Sequence, residues 1–508
     1  MLSHLLPSRQ GPIVLHLNLL LAMYVLTNSL HIHVREIKKH SWTKKSMFAK
    51  KLIPNPNFKH RGSQMSTSDT QHHPRRKLSS GFALATIIGG IIGLGILRTP
   101  GEVAAVVPDP LMFVSLWVVS GLFILLSAIV VAELVGMTPR SGGTYALVRR
   151  AYGPFPGFVI GWVDWLSFVA DIALKAVVVT EFAALLIPAM GQWQTPLAIM
   201  VSSVFAALQL RSIALGAKIQ EIAAAAMALI VVGFTLALVF AESAVSNATS
   251  IPDVANGFGA WSLVFASIIY TYDGWTYAAY FSGEIKGGSG AVARACIKGL
   301  VIVILLYIFL VAALAWKVPL ASLAGTELAL ASAVGMVVSP LASKVVLVVA
   351  IMMLLAYQNL LYMSTPRILQ ALAVDGLAVK RAAEISKGGN PTFAVLLSWG
   401  LSVGLIMIGG FDFLLHLSIF FYLFIYVVIV AGVLILRSRQ PDVARPYRAW
   451  GHPWSTYTCL LVWLLISLYQ AIAEIDTAAY AAIMVAISWP VYRGLKRMGS
   501  NGSEQQKL

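Results

Sequence analysis

The sequence predicts an all-α polytopic membrane protein of about twelve transmembrane helices, in which two helices are broken in the middle of the bilayer. Three observations predict it. The 508 residues are 58% hydrophobic and only 11% charged, with a mean hydropathy of +0.80, where soluble domains run nearer half apolar and a quarter charged. The apolar residues fall into segments of bilayer-spanning length, about 20 residues each. Two of those segments carry glycine and charge where a spanning helix is most regular.

The elements follow in order. Residues 1–81, which hold thirteen of the 37 Lys and Arg residues, are expected to form a basic, disordered N-terminal segment. Its apolar stretch Ile13–Asn28 contains His16, Asn18 and Asn28 and precedes no small-residue cleavage site. The polar lead-in that begins at Met65 suits a first span, so residues 1–64 are expected to lie outside the natural protein. From residue 82 the spans are read at 82–107, 111–136, 157–187, 195–215, 221–241, 260–282, 296–316, 344–363, 393–409, 413–436, 455–473 and 477–492. They group as 82–241, 260–436 and 437–492, followed by a cytoplasmic tail at 493–508.

Loop charge sets the orientation. One set of loops carries Arg140, Arg149, Arg150, Arg211, Lys218, Lys286, Arg294, Lys298, Arg367, Lys380, Arg381, Lys387, Arg437, Arg439, Arg445 and Arg448; the other carries Asp109, Asp253, Glu327, Asp412 and Asp476, with Lys317. Cytoplasmic loops collect Lys and Arg, so both termini are expected in the cytoplasm. The net charge of +16 is therefore an orientation signal, and no nucleic acid partner is expected. Cys296 and Cys459 both fall in or beside apolar segments and are read as buried free thiols.

The first break is "IIGGIIGLGILRTPG", Ile87–Gly101. Each glycine costs a helix about 1 kcal/mol relative to alanine, and Pro100 disfavours helix for the residue before it. Close helix packing through Gly89 and Gly93 is one reading; a functional break is the other. The sixth span favours the second, because "YTYDGWTYAAYFSGE", Tyr270–Glu284, places Asp273-Gly274 inside an apolar run. Breaks in corresponding spans of two five-span blocks point to an inverted-repeat transporter with its site at the midplane. Unwound helix ends expose amides carrying roughly half a positive charge and carbonyls carrying roughly half a negative one. Together they suit a small zwitterion such as an amino acid.

Five segments in order complete a resemblance: "IIGLGILRTPG" (91–101), "AELVGMTPRSGGTYALVRRAYGP" (132–154), "YTYDGWTYAAYFSGEIK" (270–286), "TPRILQALAVDGLAVK" (365–380) with "NPTFAVLL" (390–397), and "RPYRAWGHP" (445–453). The chain resembles the amino acid–polyamine–organocation (APC) transporter superfamily across roughly residues 80–455. The resemblance implies a LeuT-like 5+5 inverted repeat plus two helices, with substrate between the first and sixth. It implies that the G-x-G segment Gly93–Gly95 binds substrate, with the amides of Leu94, Gly95 and Ile96 presented to the substrate carboxylate, and that carbonyls near Ile91, Ile92 and Tyr270 take the ammonium. Tyr270 would gate the site, with Tyr272, Asp273, Gly274 and Trp275 shaping the pocket. Two departures stand out. Leu94 fills a position that is often small or hydroxylated in the family, and Met227 stands where a fifth-span lysine often replaces a coupling cation.

The charged residues have competing readings. Asp164, Asp171, Lys175 and Glu181 lie in the third span, where a charge costs on the order of 2.5–3.5 kcal/mol. Asp171 and Lys175 are i,i+4 neighbours: either a self-neutralising pair, or groups facing the permeation path that take part in coupling. Asp273 is read either as a cap on broken backbone or as a partner for a substrate amino group. Glu133 and Glu284 are expected to pair with arginines in an inner gate. Trp162 and Trp165 are expected as interface anchors.

Neither "HIHV" (31–34) nor "QHH" (71–73) completes a metal site, and "RSGG" (140–143) lacks the phosphate-loop pattern. No cofactor and no enzyme activity are expected. The expected function is secondary transport of amino acids across the cell membrane, by symport or exchange. A carrier of polyamines or cationic amino acids, and an amino acid sensor, stand as alternatives. The expected partners are the amino acid, the lipid bilayer and a coupled proton or counter-substrate.

Overall fold

The computed structural model describes residues 78–242, 258–326, 328–408 and 411–504. Met65, the apolar stretch Ile13–Asn28, the histidines of 31–34 and 71–73, Asp253 and Glu327 lie outside the described residues.

The first expected span forms as two helices, α1 (Ser80–Ile91) and α2 (Leu94–Ala104). Ser79 caps α1 by accepting from the Phe82 N–H at 2.8 Å, which satisfies one of the orphan donors every helix start carries. A capped second span, α3 (Pro110–Gly136), begins at Asp109, whose carboxylate accepts from the Met112 N–H at 2.7 Å. The short α4 (Gly143–Tyr152) is entered through Gly142 at φ +119, a conformation that only glycine adopts without strain. The third span is α5 (Pro154–Leu186), unbroken over 33 residues.

Next come α6 (Gln194–Arg211), α7 (Ile213–Phe240) and α8 (Phe258–Thr271). Beyond α8 the sixth span is not a regular helix: it turns at 272–276 and continues as a 3-10 helix, Tyr277–Phe281. The remaining helices are α9 (Gly288–Lys317), α10 (Ala329–Val337), α11 (Pro340–Val374), α12 (Thr392–Ile408), α13 (Phe411–Arg439), α14 (Trp454–Ala473) and α15 (Ile475–Glu504).

Among the described residues nine helices are long and apolar enough to cross a membrane, α1 and α2 counting as one. The three expected spans outside that set have physical reasons to be there. The third carries the four charged residues of α5, the sixth is interrupted, and the ninth, α12, has only 17 residues. The protein is a multi-pass membrane protein.

Packing is closest between α3 and α9 and between α5 and α11, while α1 lies against α7 and α9. Large apolar side chains such as Leu229 (70% exposed) and Phe309 (63%) face outward, as they do when the surrounding solvent is hydrocarbon. Two expectations are corrected. Arg367, counted above as a loop charge, lies within α11 and is 1% exposed. Trp165, expected at the interface, is buried, and its indole N–H donates to Ser398 Oγ at 3.0 Å; a tryptophan in the core needs such a partner. Trp162 is half-buried beside it, in ring contact with Phe158 and Trp165.

Candidate functional site

The site begins at the first break. Ile92 leaves the helix at φ −70, ψ 103, its N–H still bonded to the Ile88 carbonyl, and Gly93 continues extended before α2 starts at Leu94. No side-chain oxygen caps α2, so its first-turn amides, those of Leu94, Gly95 and Ile96, are donors without an intrahelical partner. Gly89 packs on Gln220 and Ala224 of α7, whereas a β-carbon on Gly93 would meet only the carbonyl of Ile91, at 3.9 Å. Of the two glycines with packing spacing, one packs and the other borders open space.

The second break lies directly against the first. Gly274 adopts φ +114, and a β-carbon there would fall on the Gly90 backbone. A β-carbon on Gly95 would lie 3.0 Å from the Thr271 side chain, and Thr99 Oγ1 is 2.8 Å from Thr271 Oγ1. Two of the carbonyls expected for an ammonium already have partners: Ile91 accepts from Tyr307 Oη at 2.9 Å and Tyr270 accepts from the Asp273 N–H at 3.0 Å. Each carbonyl keeps a second lone pair.

Aromatic side chains enclose the breaks. Tyr270 stands edge-on to Tyr422, and Trp275 packs on Tyr426. Tyr426 Oη donates to Asp273 Oδ1 at 2.8 Å, and Asp273 also accepts from a backbone bond at Gly274, so the capping reading has a geometric basis. Tyr272 is buried between Trp117 and Tyr307, its hydroxyl directed to the Trp117 carbonyl at 3.4 Å.

The third span brings Asp171 and Lys175 toward the sixth. Lys175 Nζ lies 2.9 Å from Asp171 Oδ1 and 5.5 Å from the centre of the Tyr357 ring, and Tyr357 and Tyr277 share a 2.7 Å hydroxyl contact. Leu94 packs on Val178, Val179 and Leu354, one turn along α5 from Lys175.

The two glutamates lie elsewhere. Glu133, at the end of α3, accepts from Arg437 and Arg445, both at 2.9 Å, and from the Ala449 N–H at 2.8 Å. Glu284 Oε1 lies 3.4 Å from Arg367 Nε and from Ser141 Oγ. In the loop after α13, burial and the nearby Arg437 guanidinium hold the His452 pKa below its usual value. Sequence reasoning did not single out Tyr307, Tyr357, Tyr426 or Tyr277: a single tyrosine in an apolar helix carries no local signal, and Tyr277 is one of several aromatics in the run 270–284.

Two neighbouring helix breaks, bordered by amides, carbonyls and a few buried charges, are the arrangement expected of a broken-helix membrane transporter. A family model described as "Amino acid permease" matches residues 81–489, and the chain belongs to that family. It is similar to the serine/threonine exchanger SteT of Bacillus subtilis, 28% identical over 82% of this chain and 96% of the relative. It is also similar to the mouse b(0,+)-type amino acid transporter 1, at 26% over 78% and 82%, and to the Escherichia coli K12 D-serine/D-alanine/glycine transporter, at 22% over 83% and 93%.

Proposed function

We propose that the protein is a secondary carrier that moves amino acids across the cell membrane by alternating access, as a symporter or exchanger. The observation that carries this reading is the packing of Gly274, in the second break, on the end of α1 at Gly90, beside the uncapped start of α2. The amides of Leu94, Gly95 and Ile96 would receive the substrate carboxylate, because a helix N-terminus favours an anion. The free lone pairs near Ile91, Ile92 and Tyr270 would receive the ammonium. Tyr270 and Trp275 would close over the site, and the Glu133 and Glu284 ion pairs would hold its cytoplasmic side shut.

In this reading the chain has twelve spans, in two inverted blocks of five (82–241 and 260–436) followed by two more, with both termini cytoplasmic. Relatives that exchange serine and threonine or carry D-serine, D-alanine and glycine support an amino acid as cargo. Counterflow is the test. Purified protein in liposomes preloaded with each unlabelled amino acid in turn is given a labelled mixture. Transient accumulation with some preloads identifies the cargo without any ion gradient; its absence from monodisperse protein with every preload overturns the reading.

A further inference from the structure

Asp164 is a carboxylate in the core of the protein, 3% exposed, ten residues or about 15 Å along α5 from its first residue. Its partners are hydroxyls from two other elements. Its two oxygens accept from Tyr280 Oη at 3.0 and 2.9 Å, and one of them also accepts from Thr144 Oγ1. Thr144 stands in the first turn of α4, and Tyr280 belongs to the 3-10 helix beyond the second break. Tyr280 is closely seated. A β-carbon on Gly143 would fall on its ring, its carbonyl accepts from the Gly142 N–H at 3.2 Å, and Phe168 of α5 packs against it with ring centres 5.1 Å apart.

Among the described residues no ion pair includes Asp164. The charged groups on the elements packed against α5 are engaged elsewhere: Arg149 of α4 with Asp375, Arg367 of α11 with Glu284, Arg437 of α13 with Glu133, and Lys175 of α5 itself with Asp171. Arg211 is the last residue of α6, and Arg493 of α15 lies over Trp489. The phenols of Tyr145, Tyr277 and Tyr426 meet Asp375, Tyr357 and Asp273, and α12 carries no ionisable side chain.

A buried carboxylate without a cation is costly, and such a group takes up a proton instead. A hydroxyl both donates and accepts, so Thr144 and Tyr280 can serve the neutral acid as well as the anion. Glu284 lies one turn beyond Tyr280, and in the carrier reading its ion pair with Arg367 shuts the cytoplasmic side. Opening that side therefore draws Tyr280 off Asp164 and admits water, which stabilises the anion. We propose that Asp164 is a proton-operated latch on the cytoplasmic opening: its carboxyl keeps a proton while Tyr280 is seated and passes that proton to water when Tyr280 leaves. The inference rests on the carrier reading above and adds a regulation of the same path. The closed state binds one proton more than the open state, so rising pH favours opening.

The test is counterflow of a labelled amino acid mixture into liposomes preloaded with the same mixture unlabelled, with equal pH on both sides, from about pH 5.5 to about pH 8. The wild-type rate is expected to rise about tenfold or more over that range. Asp164→Asn keeps the shape and cannot ionise, so its rate is expected to stay at the acid value throughout. Tyr280→Phe removes the hydroxyl that seats the acid, and is expected to raise the rate at acid pH and flatten the profile. Glu102→Gln, in the exposed pair with Arg98, is expected to keep the wild-type profile.

A purely structural Asp164 lowers the Asp164→Asn rate by one factor at every pH and leaves the profile unmoved, which overturns the inference while the carrier reading stands. A wild-type rate independent of pH also overturns it. Should Asp164→Asn fail to yield monodisperse protein, Tyr280→Phe decides the matter, and an unchanged profile there overturns the inference. No counterflow at any pH from monodisperse wild type overturns both readings.

Discussion

Gly274 and Gly90 stand back to back, the turn of the second break seated on the last turn of α1, just before the first break. Gly274 also takes a positive φ of 114, so both its conformation and its neighbour exclude a side chain. The turn that interrupts the sixth span thus packs on the helix end that leads into the first break, and the first prediction concerns this contact.

Gly274→Ala is expected to abolish counterflow and lower the melting temperature, since the left-handed conformation alone costs a residue about 1–2 kcal/mol before the overlap with Gly90 is counted. Gly400→Ala in α12, where nothing lies within 4 Å, is the control. It is expected to be neutral or stabilising by up to about 1 kcal/mol.

Glu133→Gln is expected to destabilise the protein by about 3–5 kcal/mol, because it leaves two arginines facing a buried neutral group; both Glu133 and Arg445 are almost completely enclosed. Thermal unfolding in detergent measures this. The exposed Arg98–Glu102 pair, with side chains 53% and 40% accessible, supplies the contrast: Arg98→Gln should change stability by less than about 1 kcal/mol.

Tyr307→Phe removes the hydroxyl bonded to the Ile91 carbonyl. The expected cost is about 1–3 kcal/mol for the unpaired buried acceptor. Because that carbonyl borders the proposed ammonium position, substrate affinity is expected to change in the same variant, read as a shift of the half-saturating concentration in counterflow.

Leu94→Ala removes a side chain packed on Val178, Val179 and Leu354. Its amide remains, so carboxylate binding should persist while the space beside it widens. Uptake of bulkier amino acids relative to alanine is expected to rise, at a stability cost of about 2–3 kcal/mol.

His452 gives a pH effect. Its folded pKa lies below that of the unfolded chain, so its contribution to stability is full above about pH 6.5 and is lost as the pH falls through the folded value. His452→Gln should flatten the melting temperature between pH 7 and pH 5. The effect is expected to be small, because the ring is only partly enclosed.

Much of this was legible in the chain. The helical breaks at 92–93 and 272–276 were readable because glycine, proline and aspartate act on the backbone locally. The Asp171–Lys175 pair was readable because i,i+4 spacing is a property of one helix. Arg367 was misplaced, since its neighbours in sequence read as a loop while α11 carries it into the interior against Phe281 and Glu284. Trp165 was misplaced for the same reason: one face of α5 meets α12, and nothing in the local sequence says which.

By itself, then, the sequence determined a multi-pass helical membrane protein, two interrupted helices and membership of the permease family. Hydropathy, backbone preference and ordered motifs are all properties of a segment. Only the tertiary structure decided that Gly274 of the second break sits on the end of α1 at Gly90, that Tyr307 occupies the Ile91 carbonyl, and that Lys175 of the third span lies over the Tyr357 ring, whose hydroxyl meets Tyr277 of the sixth. Those are contacts between residues far apart in the chain. Their energies depend on distance and on how little water lies between the groups, which no single segment specifies.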